Sequence, residues 1–119
     1  MLTSELVKRL AFEAGFDMGG ITSPDVIPEA RDRFALWLER GYHAQMEWMA
    51  GSAERRTDPK QVLSTVRSII MLGVNYFNPS HKDRLPGHGR VSNYARGRDY
   101  HKVIKRKTQH LITKVEEHT

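Results

Sequence analysis

The sequence contains no cysteine among its 119 residues. This absence excludes disulfide bonds, thiolate zinc sites and iron–sulfur clusters held by the chain itself. There is also no apolar run long enough to cross a bilayer, and the first residues lack the apolar core of a signal peptide. We therefore expect a soluble, cytoplasmic protein that does not contact membranes.

Apolar residues are scarce, at 39% of the chain, whereas charged residues make up 28%. A chain of this length can form one small domain but not two of ordinary size. Lysine and arginine outnumber the acidic residues by 19 to 14, and from Arg84 to Lys107 the only acidic residue is Asp99. Such a basic stretch favours nucleic acid or a phosphorylated ligand as a partner, although a solvated helix face has the same composition.

No complete catalytic motif is present. The sequence lacks a P-loop, an HExxH metal motif and a serine elbow. Its histidines do not share a spacing typical of metal ligands. Motifs alone therefore assign no catalytic residue and no metal ion.

Hydrophobic periodicity predicts an α/β protein. The expected helices cover 2–14, 28–40, 44–50, a short segment ending at Leu63, and the chain from Asp99 onward. The expected strands cover 16–22, 67–76 and 90–95, with a polar turn over 54–59 and a polar loop over 78–89. Buried side chains of the second helix are expected at Ala30, Phe34, Trp37 and Leu38.

The strand over 67–76 is a nearly continuous apolar run, which is typical of a central strand covered on both faces. Such a strand needs neighbours on both sides, yet the chain stops directly after a helix. We therefore interpret residues 1–119 as an incomplete layered domain with a mixed sheet flanked by helices. Met46 and Met49 are expected to pack in its core, with a binding surface as the alternative.

The most informative stretch joins the strand over 90–95 to the last helix. Gly97 permits a sharp turn or a close approach of a ligand, and Asp99 is expected to cap the helix. The polar and aromatic residues around this cap are Tyr94, Arg96, Arg98, Tyr100 and His101. They form either a solvated helix start or a ligand site, because α/β folds often bind ligands at strand-to-helix turns.

Four segments carry a more specific pattern. They are 41–49 (GYHAQMEWM), 56–59 (RTDP), the strand segment 68–76, and 94–102 (YARGRDYHK) with its Gly-x-Asp-Tyr-His core. In order and spacing they resemble the N-terminal part of epoxyqueuosine reductase, the cobalamin-dependent enzyme of tRNA queuosine biosynthesis. The resemblance extends along nearly the whole chain.

The resemblance implies a nitroreductase-like, corrinoid-binding domain, of which residues 1–119 are the N-terminal part. It also implies a ferredoxin-like domain with two [4Fe–4S] clusters outside this chain, an electron donor, and a tRNA substrate that carries epoxyqueuosine. We expect a monomer. Arg56 matches a family arginine that contacts the corrinoid, and Ser92 matches a position whose backbone faces the cofactor. The remaining candidates for a cofactor or tRNA contact are Tyr94, Arg96, Arg98, Tyr100 and His101.

The aspartate that acts as general acid in the family lies beyond residue 119, so no catalytic residue is expected here and Asp99 is assigned to the helix cap. Two other functions remain open. A non-enzymatic RNA-binding module would explain the charge but not the Met- and Trp-rich segment. A corrinoid- or flavin-binding protein of nitroreductase fold would lack the tRNA substrate.

Overall fold

The structure is a computed structural model that describes residues 1–77, 86–87 and 89–119. It divides into two compact units, the first made of Met1–Gly20 and Ile70–Thr119 and the second of Ile21–Ile69. The elements are α1 (Ser4–Glu13), β1 (Met18–Thr22), α2 (Pro28–Glu39), α3 (Glu47–Gly51), α4 (Ala53–Thr57), β2 (Ile69–Gly73) and α5 (Tyr100–Glu116), with 3₁₀ helices at Pro59–Gln61 and Asn93–Ala95. The polar loop predicted over 78–89 lies mostly outside the described residues.

The core of the first unit forms where α1 packs against α5. Its buried side chains are Leu10, Ala11, Ala14, Phe16 and Leu111. The helix predicted over 2–14 is confirmed as α1. Thr3 caps it, because its side chain accepts a hydrogen bond from the Leu6 amide at 3.2 Å. Gly15 follows with φ +94°, a conformation that glycine adopts without strain.

Strands β1 and β2 form a two-stranded sheet. At its start, the Asp17 amide donates to the Gly73 carbonyl at 2.9 Å, and the Asn75 amide donates to the Asp17 carboxylate at 2.7 Å. The prediction that β2 is covered on both faces is wrong for the part of the chain that the structure describes. Ile70 and Met71 are adjacent residues that face opposite sides of the strand, and both are exposed.

The second unit contains α2, α3, α4 and the 3₁₀ helix at Pro59–Gln61. Helix α2 begins at Pro28 as predicted and is followed by Gly41 with φ +68°. The predicted buried stripe is wrong, since Ala30 is exposed and Phe34, Trp37 and Leu38 are only half-buried. The ring of Trp37 stacks on Phe34 at 5.8 Å, so the apolar side chains contact each other without being covered.

Three local predictions are corrected. The polar turn expected over 54–59 is instead occupied largely by α4, because Ala, Glu and Arg are strong helix formers. The helix expected over 44–50 begins later, at Glu47, and the expected core packing of its methionines is wrong, since Met46 is exposed and Met49 only half-buried.

The strand expected over 90–95 is a 3₁₀ helix at Asn93–Ala95. The Ser92 carbonyl accepts from the Ala95 amide at 3.0 Å, so the local backbone bonds close a turn rather than a sheet ladder. The α/β class is therefore confirmed with two strands among the described residues, and the layered, mixed-sheet arrangement stays a prediction.

Candidate functional site

The turn before α5 is built as the sequence predicts. Gly97 adopts φ +82°, which a side chain would disfavour, and redirects the backbone. Asp99 is the N-cap of α5, and its Oδ1 accepts from the His101 amide at 3.0 Å. This bond satisfies one of the amides that a helix start leaves without a partner, so the structural role assigned to Asp99 is confirmed.

The same carboxylate also holds the side chain of His101. Oδ1 of Asp99 lies 2.9 Å from Nδ1 of His101, and the imidazole stacks on the Tyr100 ring with centroids 4.1 Å apart. The side-chain hydrogen bond from His101 lowers the pKa of the Asp99 carboxyl below its ordinary value of 3.8. His101 is thus oriented from two sides, which leaves its Nε2 as the ring nitrogen available to a ligand.

Three tyrosines meet beside this turn. Tyr94 lies edge-on to Tyr76, with centroids 6.4 Å apart, and edge-on to Tyr100, with centroids 6.1 Å apart. This is the geometry that aromatic rings prefer, because the positive edge of one ring faces the negative face of another. All three remain substantially exposed, so their rings offer contact surface rather than core packing.

The tyrosines form one wall of an open cleft of about 560 Å³ in the first unit, which we call the aromatic cleft. Its other lining residues are Val74, Asn93, Arg96, Gly97, Arg98, Val103 and Ile104. The lining is mostly apolar, and two guanidinium groups add hydrogen-bond donors. Such a cleft suits a flat, largely apolar ligand that carries amide or phosphate oxygens at its edge.

The structure brings Tyr94, Arg96, Arg98 and Tyr100 together in the aromatic cleft. Ser92 lies just before the 3₁₀ helix, is exposed, and does not line the cleft. Sequence reasoning did not assign five of the lining residues to this site: Val74, Tyr76, Asn93, Val103 and Ile104. The helical spacing of Tyr100, Val103 and Ile104 was a usable signal for Val103, whereas Tyr76 joins the cleft only through a tertiary contact.

Arg56 belongs to the second unit, where α3 and α4 hold its guanidinium. Its Nε donates to Ser52 Oγ at 2.8 Å, and Ser52 Oγ donates to the Trp48 carbonyl at 2.7 Å. Its Cζ lies 4.9 Å from the centre of the Trp48 ring, a cation–π contact. Trp48, Ser52 and Arg56 follow each other at four-residue intervals, a signal for this arrangement that sequence reasoning missed.

The described residues contain no group of three or more His, Cys, Asp or Glu side chains that could hold a metal ion. None of their helices combines the length and the apolar character that a bilayer-spanning segment needs.

Similarity to known proteins adds to this geometry. A family model described as "Epoxyqueuosine reductase QueG, DUF1730" matches residues 56–119, which is more than half of the chain. An epoxyqueuosine reductase of Leadbetterella byssophila is 36% identical over 113 residues, covering 95% of this chain and 37% of that protein. The epoxyqueuosine reductase of Escherichia coli is 33% identical over 119 residues, covering 97% of this chain and 31% of that protein.

A solved structure shows the same fold. The structure of epoxyqueuosine reductase from Streptococcus thermophilus matches with a TM-score of 0.71 at 23% identity, covering all of this chain and 32% of that chain. The present chain thus spans about a third of the length of the curated relatives that it matches.

Proposed function

The chain belongs to the epoxyqueuosine reductase family, and we propose that it forms the N-terminal part of the cobalamin-binding domain of such a reductase. The complete protein would convert epoxyqueuosine to queuosine in tRNA. Removal of the epoxide oxygen as water takes two electrons and two protons. The general acid, the two [4Fe–4S] clusters and the contact with an electron donor would lie outside residues 1–119.

The observation that carries this proposal is the aromatic cleft, whose lining residues all fall within the region that the family model matches. A corrinoid has a broad apolar face with amide side chains around its edge. The tyrosine rings and the side chains of Val74, Val103 and Ile104 suit the face, while the guanidinium groups of the cleft suit the amide oxygens. The residues present are therefore compatible with a corrinoid.

When bound, cobalamin would supply the reducing electrons for opening the epoxide. The residues of this chain would bind and orient it. Tyr94 and Tyr100 would cover part of its face, and their edge-to-face contact keeps both rings in place before binding. Arg56 would donate hydrogen bonds from a guanidinium that Ser52 and Trp48 already hold. Ser92 does not line the cleft itself but directly precedes the lining residue Asn93, and its backbone would contribute there.

Contact with the substrate would depend on charged side chains. Arg96 and Arg98 are cations at the edge of the aromatic cleft, and we assign to them contacts with the cofactor or with tRNA phosphates. His101, held by Asp99 and Tyr100, would present Nε2 to the same ligands. Phosphate contacts would supply affinity without reading the nucleotide sequence.

A corrinoid titration tests the proposal. We expect the complete reductase to bind cob(II)alamin, followed by its absorbance, and to reduce epoxyqueuosine in tRNA. Truncation of a tyrosine, as Tyr94→Ala or Tyr100→Ala, should weaken corrinoid binding about tenfold, because each removes a large contact surface.

Phe12→Ala is the matched control, since Phe12 is an exposed aromatic residue on α1 that does not line the cleft. It should leave corrinoid binding unchanged. If both tyrosine variants bind the corrinoid as the unaltered protein does, the aromatic cleft is not the cofactor site.

A further inference from the structure

The basic residues of α5 fall into two sets. Lys107 donates from Nζ to the Gly15 carbonyl at 2.7 Å, and Lys114 Nζ lies 3.5 Å from Glu13 Oε2. Both side chains are half-buried and face the end of α1. These two lysines hold α5 against α1 and are not available to a ligand.

The second set lies further round the helix from these contacts. Lys102, Lys105 and Arg106 are exposed, and none of their side chains has a hydrogen bond or ion pair within the part of the chain that the structure describes. Their spacing of three and four residues places them on one face of the helix. Lys102 precedes the buried Leu111 by nine residues, which is about two and a half turns of helix. The two side chains therefore lie on opposite sides of α5, and this face is opposite the core.

This basic face continues into the aromatic cleft. Arg98 lines the cleft and also a second groove of about 360 Å³, whose other lining residues are Asp99, Lys102, Val103 and Arg106. We call Arg98, Lys102, Lys105 and Arg106 the basic ridge. Its one acidic neighbour in the groove, Asp99, already accepts hydrogen bonds from the amide and the ring of His101.

We propose that the basic ridge binds the sugar-phosphate backbone of the RNA whose modified nucleoside is processed. This inference rests on the proposed function and adds a surface to it. The ridge concentrates positive charge that no described carboxylate neutralises apart from Asp99, and a polyanion supplies the missing counter-charge. From Lys102 to Arg106 the helix rises about 6 Å, so the ridge can contact successive phosphates of one strand.

RNA binding by the complete reductase tests this proposal. The probe is an in vitro transcribed tRNA, its binding measured by fluorescence anisotropy at several salt concentrations. We expect the double variant Lys102→Ala, Arg106→Ala to bind about tenfold more weakly at low salt. The slope of log K against log salt should become shallower by about one for each lost phosphate contact.

The matched control is the double variant Lys8→Ala, Arg9→Ala, which removes the same charge from α1. Both residues are exposed, but each has a carboxylate partner, Glu5 at 2.9 Å and Glu13 at 4.0 Å. It should change RNA affinity less than twofold. Equal losses in both double variants would show that only net charge matters and would overturn the proposal.

Two further outcomes would overturn it. The first is RNA affinity and salt slope that stay unaltered in the ridge variant. The second is unaltered RNA affinity with a lower melting temperature, which would show that the ridge packs against protein. Corrinoid uptake by the unaltered reductase, measured in the same preparation, reports on the proposed function separately. A protein that takes up corrinoid but binds RNA independently of the ridge refutes only this inference.

Discussion

The two units differ in how far they bury the apolar side chains of their helices. In the first unit, α1 buries Leu10 and Ala11 in a core that they share with Leu111 of α5. In the second unit, α2 carries Phe34, Trp37 and Leu38 at helical spacing and buries none of them fully. The comparison shows that periodicity defines which face of a helix is apolar, whereas burial depends on whether another element covers that face.

The candidate binding residues follow the same division. The aromatic cleft and the basic ridge belong to the first unit, next to its core. Arg56 belongs to the second unit and is held by Ser52 and Trp48 instead of by a core. Local support, through side chains four residues apart, therefore replaces burial as the means of orienting Arg56.

The largest effect should come from a cavity in the first unit. Leu111→Ala removes a buried side chain between α1 and α5 and should lower the free energy of unfolding by about 2–5 kcal/mol. Leu38→Ala, on the half-buried face of α2, should cost clearly less. Urea unfolding of the two variants compares them directly, and equal losses would show that the second unit has a core of its own.

Much of the fold could be predicted from the sequence where the signal is local. Thr3, Pro28, Gly41 and Asp99 lie at the helix ends that their capping and turn preferences indicate. The errors arose where segments are short. Residues 90–95 contain too few apolar positions to distinguish a strand from a 3₁₀ turn, and the helix formers of α4 were outweighed by the polarity of the segment.

The candidate site could be predicted in part. The residue types around Gly97 indicated a cationic and aromatic junction, and the structure brings Tyr94, Arg96, Arg98 and Tyr100 into one cleft. Tyr76 and Val74 could not be assigned to it, because they follow β2 and reach the cleft only through tertiary packing. The sequence also could not predict that the basic residues of α5 form two sets, because the sets differ in whether the side chain contacts the end of α1.

An intermediate effect is expected at Trp48, whose ring lies against Arg56. Trp48→Ala should weaken corrinoid binding by the complete reductase about 2- to 5-fold, which corresponds to the loss of an exposed cation–π contact. Trp48→Phe keeps an aromatic face and should restore most of the affinity. Absorbance titration with cob(II)alamin provides the measurement.

Arg56→Lys is the companion variant. It keeps the positive charge but loses the planar guanidinium that bonds to Ser52 and stacks on the indole. We expect it to bind the corrinoid as weakly as Trp48→Ala. If Trp48→Ala and Arg56→Lys both bind normally, Arg56 has no part in the cofactor site, and the second unit contributes structure only.

The smallest effect concerns Asp99, where capping and charge can be separated. Its folded-state pKa is lowered by the hydrogen bond from the His101 side chain. The charged form is therefore favoured by folding, and this stabilisation is fully present above the unfolded value of 3.8 and is lost as the pH falls through the lower folded value. Asp99→Asn keeps a capping oxygen but cannot titrate. We expect its urea midpoint at pH 7 to lie slightly below that of the unaltered protein. The difference should disappear in acid, because there Asp99 of the unaltered protein is also uncharged.

Asp99→Ala removes the cap as well and should lower the urea midpoint at pH 7 further, by about 0.5 M. His101→Ala separates the remaining contribution, because it removes the main cause of the lowered pKa while leaving the cap in place. A catalytic role for Asp99 would give a different pattern. An Asp99→Asn reductase that folds normally, takes up corrinoid and yet fails to reduce epoxyqueuosine would show that the carboxylate donates a proton. We expect this variant to turn over substrate at nearly the unaltered rate, since the cap needs only an acceptor oxygen.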